Sequence, residues 1–396
     1  MARRALILGV ASPLALLAAG FVAVALLAPL PPPAGWPPES ADHEVAAVLH
    51  VHSAYSHDGR GSIEEIAEAA RRAGVRVVLL TDHNTLAPLA EGKEGWHGDV
   101  LVLVGAELTT GSGYLLVFNL PADATVRVRG HDLRRLVAEY QDLGGIVLVA
   151  HPYHPKLDWK DWEMAGLDGL EVVDVFDQVV VAAAPRQLLA FLAYPANPAM
   201  AVLSLVHWPR QALARWDLMA ARRPAVGVLA LDAHGGIALT EETGVRFPSH
   251  ETAFRLGRLH FLLPEPLDPD PGVARRQVYQ ALRAGRFFNA FDGLAPATGF
   301  RFRARAGGEV HEAGARLGLT ADLELEVTTP PYPRAVIRLL RDGVVVREER
   351  DTPQLRHRVW MPGVFRVEVD LERSLFPLTG PRAFPWIFSN PIYVER

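Results

Sequence analysis

From residue 45 to residue 231 the chain repeats apolar runs of strand length separated by connecting stretches, and five of the seven runs stop at a histidine or carboxylate. The runs cover residues 46–52, 75–80, 100–104, 114–120, 146–150, 170–175 and 226–231. Strands that are apolar on both faces need cover on both faces. The pattern therefore predicts an α/β fold with a mainly parallel sheet flanked by helices, closed as a barrel or open and doubly wound. Ser62 followed by Glu65 reads as a capping box that opens a helix, and Gly74 closes it. Between His131 and Leu143 the apolar residues fall at helical spacing, with Gly144 and Gly145 behind them.

The residues at the strand ends carry the chemistry. His50 and His52 stand two apart at the end of the first run and leave one face of it. Asp58 follows on a loop, and later runs end at Asp82 and His83, at Glu107, at His151, and at Asp232 and His234. A single histidine at a strand end is ordinarily structural, and Asp82 alone could be a helix cap. Recurrence at the same end of five strands is a different matter, because in a parallel barrel those ends meet on one rim. With no cysteine in the chain, a metal there must be held by nitrogen and oxygen. His43, His97, His131, His207, His250, His260, His311 and His357 lack such a setting.

Outside this region the pattern changes. After Arg3 and Arg4, residues 5–30 carry no charge, a length that matches the roughly 20 residues a helix needs to cross a bilayer. The reading is a signal anchor over residues 1–30, with a cleaved signal peptide as the rival. The two arginines would stay cytoplasmic, so the rest would lie outside the cytoplasmic membrane, periplasmic or extracellular, as a single-pass protein. Residues 31–44 form a proline-rich linker. The stretch 179–224 reads as short helices packed on the barrel exterior, with the membrane surface as the alternative. From about residue 299 short alternating strands begin, with Asp342-Gly343 as a hairpin turn, and predict an immunoglobulin-like β-sandwich over 299–396. A net charge of −5 without a basic run speaks against a nucleic-acid partner.

The set His50-x-His52, Ser56-His57-Asp58-Gly59, Thr81-Asp82-His83-Asn84, Glu107, His151-Pro152 and Asp232-x-His234 resembles the polymerase and histidinol phosphatase (PHP) domain. The resemblance runs over residues 45–290. It implies a distorted, TIM-like (β/α)7 barrel with two or three divalent metal ions and hydrolytic, usually phosphoester-cleaving, activity. The C-terminal Trp386-Ile387-Phe388-Ser389-Asn390-Pro391-Ile392-Tyr393 resembles the tail of bacterial membrane-associated members. Carried over by position, His50, His52, Glu107 and Asp232 hold one ion, Glu107 bridges to a second that His151 also binds, and Asp58, His83 and His234 hold the third. Tyr114 stands where many relatives have a histidine, and a phenol with an ordinary pKa of about 10 is a poorer ligand.

The same resemblance puts an activated water among Glu107, Asp232 and His151, with His57, Asp82 and Glu171 orienting the ligands. Arg60 and His154 are candidates for contact with the substrate. Histidine with carboxylate suits zinc, manganese and iron alike. The expected function is hydrolysis of a phosphomono- or phosphodiester of a small molecule, lipid or sugar. The alternatives are a carboxylic or carbamate ester hydrolase and a metal-stabilised binding protein without catalysis.

Overall fold

The computed structural model describes residues 17–22, 29–36, 43–126, 132–238, 246–373 and 381–396. Its first half is built from β1 (His43–Val51), α1 (Ile63–Ala73), β2 (Val77–His83), β3 (Val100–Thr110), β4 (Gly113–Phe118), α2 (Leu133–Asp142), β5 (Ile146–Ala150) and β6 (Gly169–Asp174). Next come α3 (Val175–Val180), α4 (Ala184–Ala193), α5 (Pro198–Leu203), α6 (Arg210–Ala220), β7 (Val226–Ala230), β8 (Arg258–Leu263), α7 (Pro271–Ala284) and β9 (Phe287–Ala290). The α1 helix begins with a reciprocal capping box between Ser62 and Glu65 and ends at Gly74 in the left-handed conformation.

The strands run in the order β1-β2-β3-β4-β5-β6-β7. Pairs β1–β2, β2–β3, β5–β6 and β6–β7 are parallel, whereas β4 runs antiparallel to both neighbours. Only Gly111 and Ser112 separate β3 from β4, too short a link for a parallel crossover. At its upper end β1 meets the chain leaving β7: Leu231 N–H donates to Leu49 O, Ala233 N–H to His50 O, and His52 N–H to Ala233 O. At its lower end the same edge of β1 pairs instead with antiparallel β8 through residues 43–47. The strands thus close upon themselves at the top and splay at the bottom.

Alternate residues of these strands fill the interior, among them Val45, Ala47, Leu49, Val77, Leu79, Leu101, Leu103, Leu116, Leu148 and Val228, and α7 plugs the lower opening with Ala274, Val278 and Leu282. A second apolar layer lies between the strands, the outer helices and the C-terminal region.

The C-terminal strands do not stand apart from this sheet. Arg382–Ser389 pairs with β9 and with Gly363–Arg373, so one 16-stranded sheet runs from β7 into the last part of the chain. The remaining C-terminal strands include a separate four-stranded sheet, and Asp342-Gly343 forms the expected tight turn with both residues at positive φ. The Ser389 to Tyr393 motif has a structural task. Asn390 Oδ1 accepts from Gly227 N–H at 2.9 Å and Tyr393 Oη from Ala225 N–H at 2.9 Å, while Asn289 Oδ1 accepts from Leu229 N–H at 2.8 Å. These side chains satisfy backbone donors along β7 that no strand pairs with.

The expected architecture with a membrane-spanning helix is corrected here, together with the single-pass placement outside the cytoplasm. Among the described residues no helix is long and apolar enough to cross a membrane. Residues 1–16 and 23–28 of the expected anchor lie outside the described residues. Of what is described of it, residues 17–22 are helical with Leu17 and Val22 exposed, Phe21 and Leu30 lie against the core, and Leu30 N–H donates to Leu294 O. In the proline-rich stretch Trp36 Nε1 donates to Thr298 O at 2.7 Å.

Candidate metal centre

Simple alternation along the strands carries some of the site residues inward. On β2 the interior positions Val77 and Leu79 lead by twos to His83; on β3 Leu101 and Leu103 lead to Glu107; on β7 Val226 and Val228 lead to Asp232. Gly105 stands between Leu103 and Glu107, where a Cβ would lie 2.4 Å from Val117 O and 2.5 Å from the Phe118 ring. On β1 alternation alone would turn Val51 inward. Instead the pairing with β2 shifts register between Leu49 and Val51, His50 takes φ 65°, and His50 and His52 face the interior. His151 and Asp232 also have left-handed backbone, φ 45° and 49°. Such conformations cost roughly 1–3 kcal/mol each in a non-glycine residue and gather where geometry serves a function.

Three compact groups result, one of them His50, His151, Glu171 and Asp174, and the other two collect the expected ligands. His50, Glu107, His151 and Asp232 are all buried and each offers an atom within 4.8 Å of the others; His52, Asp58, His83 and His234 lie equally close together beside them, with only His52 buried. Glu107 lies between the groups, its Oε2 3.2 Å from His50 Nε2 and 3.0 Å from His83 Nδ1, its Oε1 3.4 Å from His151 Nε2. His52 Nε2 is 3.1 Å from Asp232 Oδ1, while its ring stacks on His234 at 4.2 Å, so His52 faces both groups. Asp58 Oδ2 lies 3.2 Å from His83 Nε2 and 3.5 Å from His234 Nε2. Its loop approaches closely because Gly59 has no side chain: a Cβ there would sit 2.1 Å from Ser53 O.

The orienting contacts fall partly on expected residues. Glu171 Oε1 accepts from His50 Nδ1 at 2.6 Å, and its Oε2 accepts from His151 N–H at 2.8 Å. Asp82 reaches no candidate ligand side chain; it accepts from Ser53 N–H and Ser53 Oγ at 2.7 and 2.8 Å and so fixes the backbone after His52. His57 is exposed, with its Nε2 3.5 Å from Asp58. His154 lies at the rim, Nε2 3.7 Å from Asp177 Oδ1. Arg60 is exposed and its backbone N–H donates to His234 O. The Tyr114 ring packs edge-on against His151 at 5.5 Å. Burial and the Glu107 charge push its phenol above the usual value, which keeps it neutral.

Three contributors escaped the sequence reading. Ser56 Oγ lies 3.1 Å from His52 Nδ1 and accepts from His83 N–H, tying the two groups together. Asp174 lies 3.9 Å from His151 Nδ1, and Asp177 Oδ2 lies 3.2 Å from the same nitrogen. Their signal was present: Glu171, Asp174 and Asp177 repeat an acid every third residue where β6 ends, which is the strand-end rule that found the others.

Electrostatics make the centre incomplete by itself. Burial would lower the His50 pKa, but the charges of Glu171, Glu107 and Asp232 outweigh it and hold that imidazole well above its usual range. His151 is raised likewise against its burial, by Asp174, Asp177 and Glu107. Burial would raise Glu107 and Asp58, yet their histidine partners hold both well below the carboxylate range. Glu107 Oε1 and His83 Nδ1 are buried, and their approaches to His151 Nε2 at 3.4 Å and to Glu107 Oε2 at 3.0 Å lack hydrogen-bond geometry. Orphaned donor atoms that converge from several strands fit divalent cations, which such atoms would ligate directly.

The PHP domain family model matches residues 49–161. An uncharacterized protein of Methanocaldococcus jannaschii is 32% identical over 121 residues, spanning 28% of this chain and 68% of that protein. The chain belongs to the PHP family. Solved structures similar to it include a two-domain Bacteroides vulgatus protein named as containing a predicted PHP-like metal-dependent phosphoesterase, 13% identical with a TM-score of 0.40 over 86% of this chain and 95% of that one. Another is a candidate metal-dependent phosphoesterase of Bifidobacterium adolescentis, 18% identical with a TM-score of 0.33 over 52% and 89% of the two chains. Membership of the PHP family and the clustered histidines and carboxylates support a metal-dependent hydrolase.

Proposed function

We propose that this PHP protein hydrolyses phosphate esters with water as the nucleophile. The observation that carries the reading is the pair of adjacent ligand groups sharing Glu107, with buried donor atoms left unbonded. His50, Glu107, His151 and Asp232 would hold one ion or a close pair, and His52, Asp58, His83 and His234 a further one. Zinc, manganese and iron all suit the donor set. Bound divalent ions would bring the pKa of a water toward neutrality and offset charge on the attacked phosphoryl group.

The protein supplies position. Glu171 and Asp177 accept from the Nδ1 atoms of His50 and His151, which turns both Nε2 lone pairs toward Glu107 and Asp232. His154, 3.7 Å from Asp177, would serve the departing oxygen as acid, and Arg60 would meet phosphate oxygens. The test is an assay of the chain, stripped of metal and reloaded with manganese or zinc, on phosphomonoesters, phosphodiesters and aryl carboxylic esters in parallel. Metal-dependent turnover of a phosphate ester is expected. Turnover of carboxylic esters alone, or none with metal bound, refutes the reading.

A further inference from the structure

His250 lies outside the strand-end pattern, on the short helix His250–Phe254, and is buried. Its Nε2 lies 3.1 Å from His52 O and 3.2 Å from Ala233 O. A carbonyl oxygen only accepts, so Nε2 carries the proton and is shared between the two. These carbonyls belong to the peptide links His52–Ser53 and Ala233–His234. One imidazole therefore ties the backbone just after one candidate ligand to the backbone just before another.

The surrounding chain is shaped to admit the ring. Gly235 has φ 73°, and a Cβ there would lie 2.6 Å from His250 Cε1 and 2.8 Å from Arg60 O. The helix that presents His250 is itself held in place. Ser249 Oγ caps it by accepting from Thr252 N–H at 3.2 Å, and Glu251 pairs with Arg72 of α1 at 2.7 Å.

This tie bears on the two groups of expected ligands unequally. The rings of His50 and His151 are oriented from behind, by Glu171 on His50 Nδ1 and Asp177 beside His151 Nδ1. His52 and His234 instead stack on each other at 4.2 Å, across the join between the ends of β1 and β7. At that join His52 N–H donates to Ala233 O, and His250 bonds to the same oxygen and to His52 O. Loss of the His250 donor would leave buried carbonyls short of a partner where the spacing of His52 and His234 is set.

We infer that His250 is a positioning residue for the ion held by His52, Asp58, His83 and His234. The inference rests on the ligand groups of the proposed metal-dependent hydrolase and adds to them a residue that belongs to neither. It works through the main chain of the ligands, whereas Glu171 works through their rings.

The test is the zinc affinity of the full chain, freed of metal and titrated in competition with a chromophoric chelator. Asp58→Asn withdraws a ligand from the second group, so the class of ion it weakens is the one that group holds. His250→Phe keeps a ring without the donor and should weaken that same class by about tenfold or more while the other class is unmoved. His250→Gln returns an N–H donor and should recover most of the loss. In the Asp58→Asn background His250→Phe should leave the remaining class unchanged. Circular dichroism and urea unfolding of the metal-free chain establish that each variant is folded; if His250→Phe is not, His250→Asn, polar but too short to reach both carbonyls, takes its place with the same expected loss. Equal weakening of both classes, no weakening, or no recovery in His250→Gln overturns the inference. If Asp58→Asn costs no zinc affinity in any class, the ligand assignment fails, and the inference falls with it.

Discussion

Strand β1 carries a cluster of histidine and carboxylate at each of its ends, and the two clusters solve opposite problems. At the lower end His260 Nδ1 lies 2.7 Å from Glu44 and His260 Nε2 3.2 Å from Asp292, with Arg301 on Glu44 at 2.7 Å and Arg258 on Asp292 at 3.4 Å. Gly299 N–H and Ala297 N–H donate to the same two carboxylates, and His260 stacks on Phe288 at 4.5 Å. Negative charge is met by arginine. Six residues up the strand, about 20 Å at the usual rise, the His50 cluster has no such cation. Among the described residues no lysine or arginine pairs with Asp58, Asp82, Glu107, Glu171, Asp174, Asp177 or Asp232. The same residue types therefore make a closed structural network at one end and an open ligand set at the other. Arginine and hydrogen-bond closure separate the two, not burial, since His50 and His260 are both buried.

The comparison breaks first if charge at the open end proves dispensable. Glu107→Gln keeps the shape of the shared carboxylate and removes its charge. The expected loss of turnover is at least about 10³-fold, because stabilisation of developing charge by metal is worth several kcal/mol. Metal content measured by mass spectrometry should fall with it while circular dichroism stays that of the native fold. Full metal content and full rate in Glu107→Gln would remove the centre from the mechanism. Asp292→Asn, at the closed end, should leave turnover per folded molecule within a few-fold.

The closed end should instead govern stability against pH. Although burial alone would lower it, Asp292 and Glu44 raise the His260 pKa to about 9 from 6.5. A group whose folded value is raised gives its full stabilisation below the unfolded pKa and loses it as pH climbs through the folded one. The contribution, about 3 kcal/mol, should therefore be complete below pH 6.5 and gone above about 9. Urea unfolding of the metal-free chain across that window measures it, and His260→Gln should flatten the slope. An unchanged slope in that variant would place the alkaline sensitivity elsewhere.

Much of the site was legible in the sequence because its rule is local. His83, Glu107 and Asp232 follow from alternation along strands whose apolar residues declare their inner face, and the helix cap at Ser62 and the turn at Asp342-Gly343 follow from short-range chemistry. His50 and His151 reach the centre through left-handed backbone, which no spacing announces, yet their position at strand ends found them. The closed network was not legible. His260 sits in the middle of β8 and acquires Glu44, Asp292, Arg258 and Arg301 only through the antiparallel pairing of β8 with β1 and β9. The spanning-helix expectation is corrected because no helix among the described residues is long and apolar enough to cross a membrane; lack of charge alone does not say what covers a stretch, and Phe21 and Leu30 lie partly buried against the core. The sharing of one sheet between β9 and the C-terminal strands is likewise a matter of long-range pairing, invisible to alternation.

The finest test lies between the two kinds of cluster, at Asp177. Unlike Glu44 in the closed network, it is hydrogen-bonded through one oxygen; Oδ2 faces His151 Nδ1, while Oδ1 lies 3.7 Å from His154 Nε2 without a hydrogen bond. If its work is to fix the His151 tautomer with Nε2 toward Glu107, an amide that can present either a donor or an acceptor should do it less well. Asp177→Asn is therefore expected to weaken metal binding by about 10–100-fold, the usual effect of losing a carboxylate that orients a ligating histidine. Competition with a chromophoric chelator reads that affinity without turnover. The metal-free stability should hardly move, since Asp174 still caps α3 by accepting from the backbone N–H of residue 177 at 2.7 Å. A metal-free chain strongly destabilised by Asp177→Asn would class this carboxylate with the closed network, and the distinction between the ends of β1 would lose its boundary.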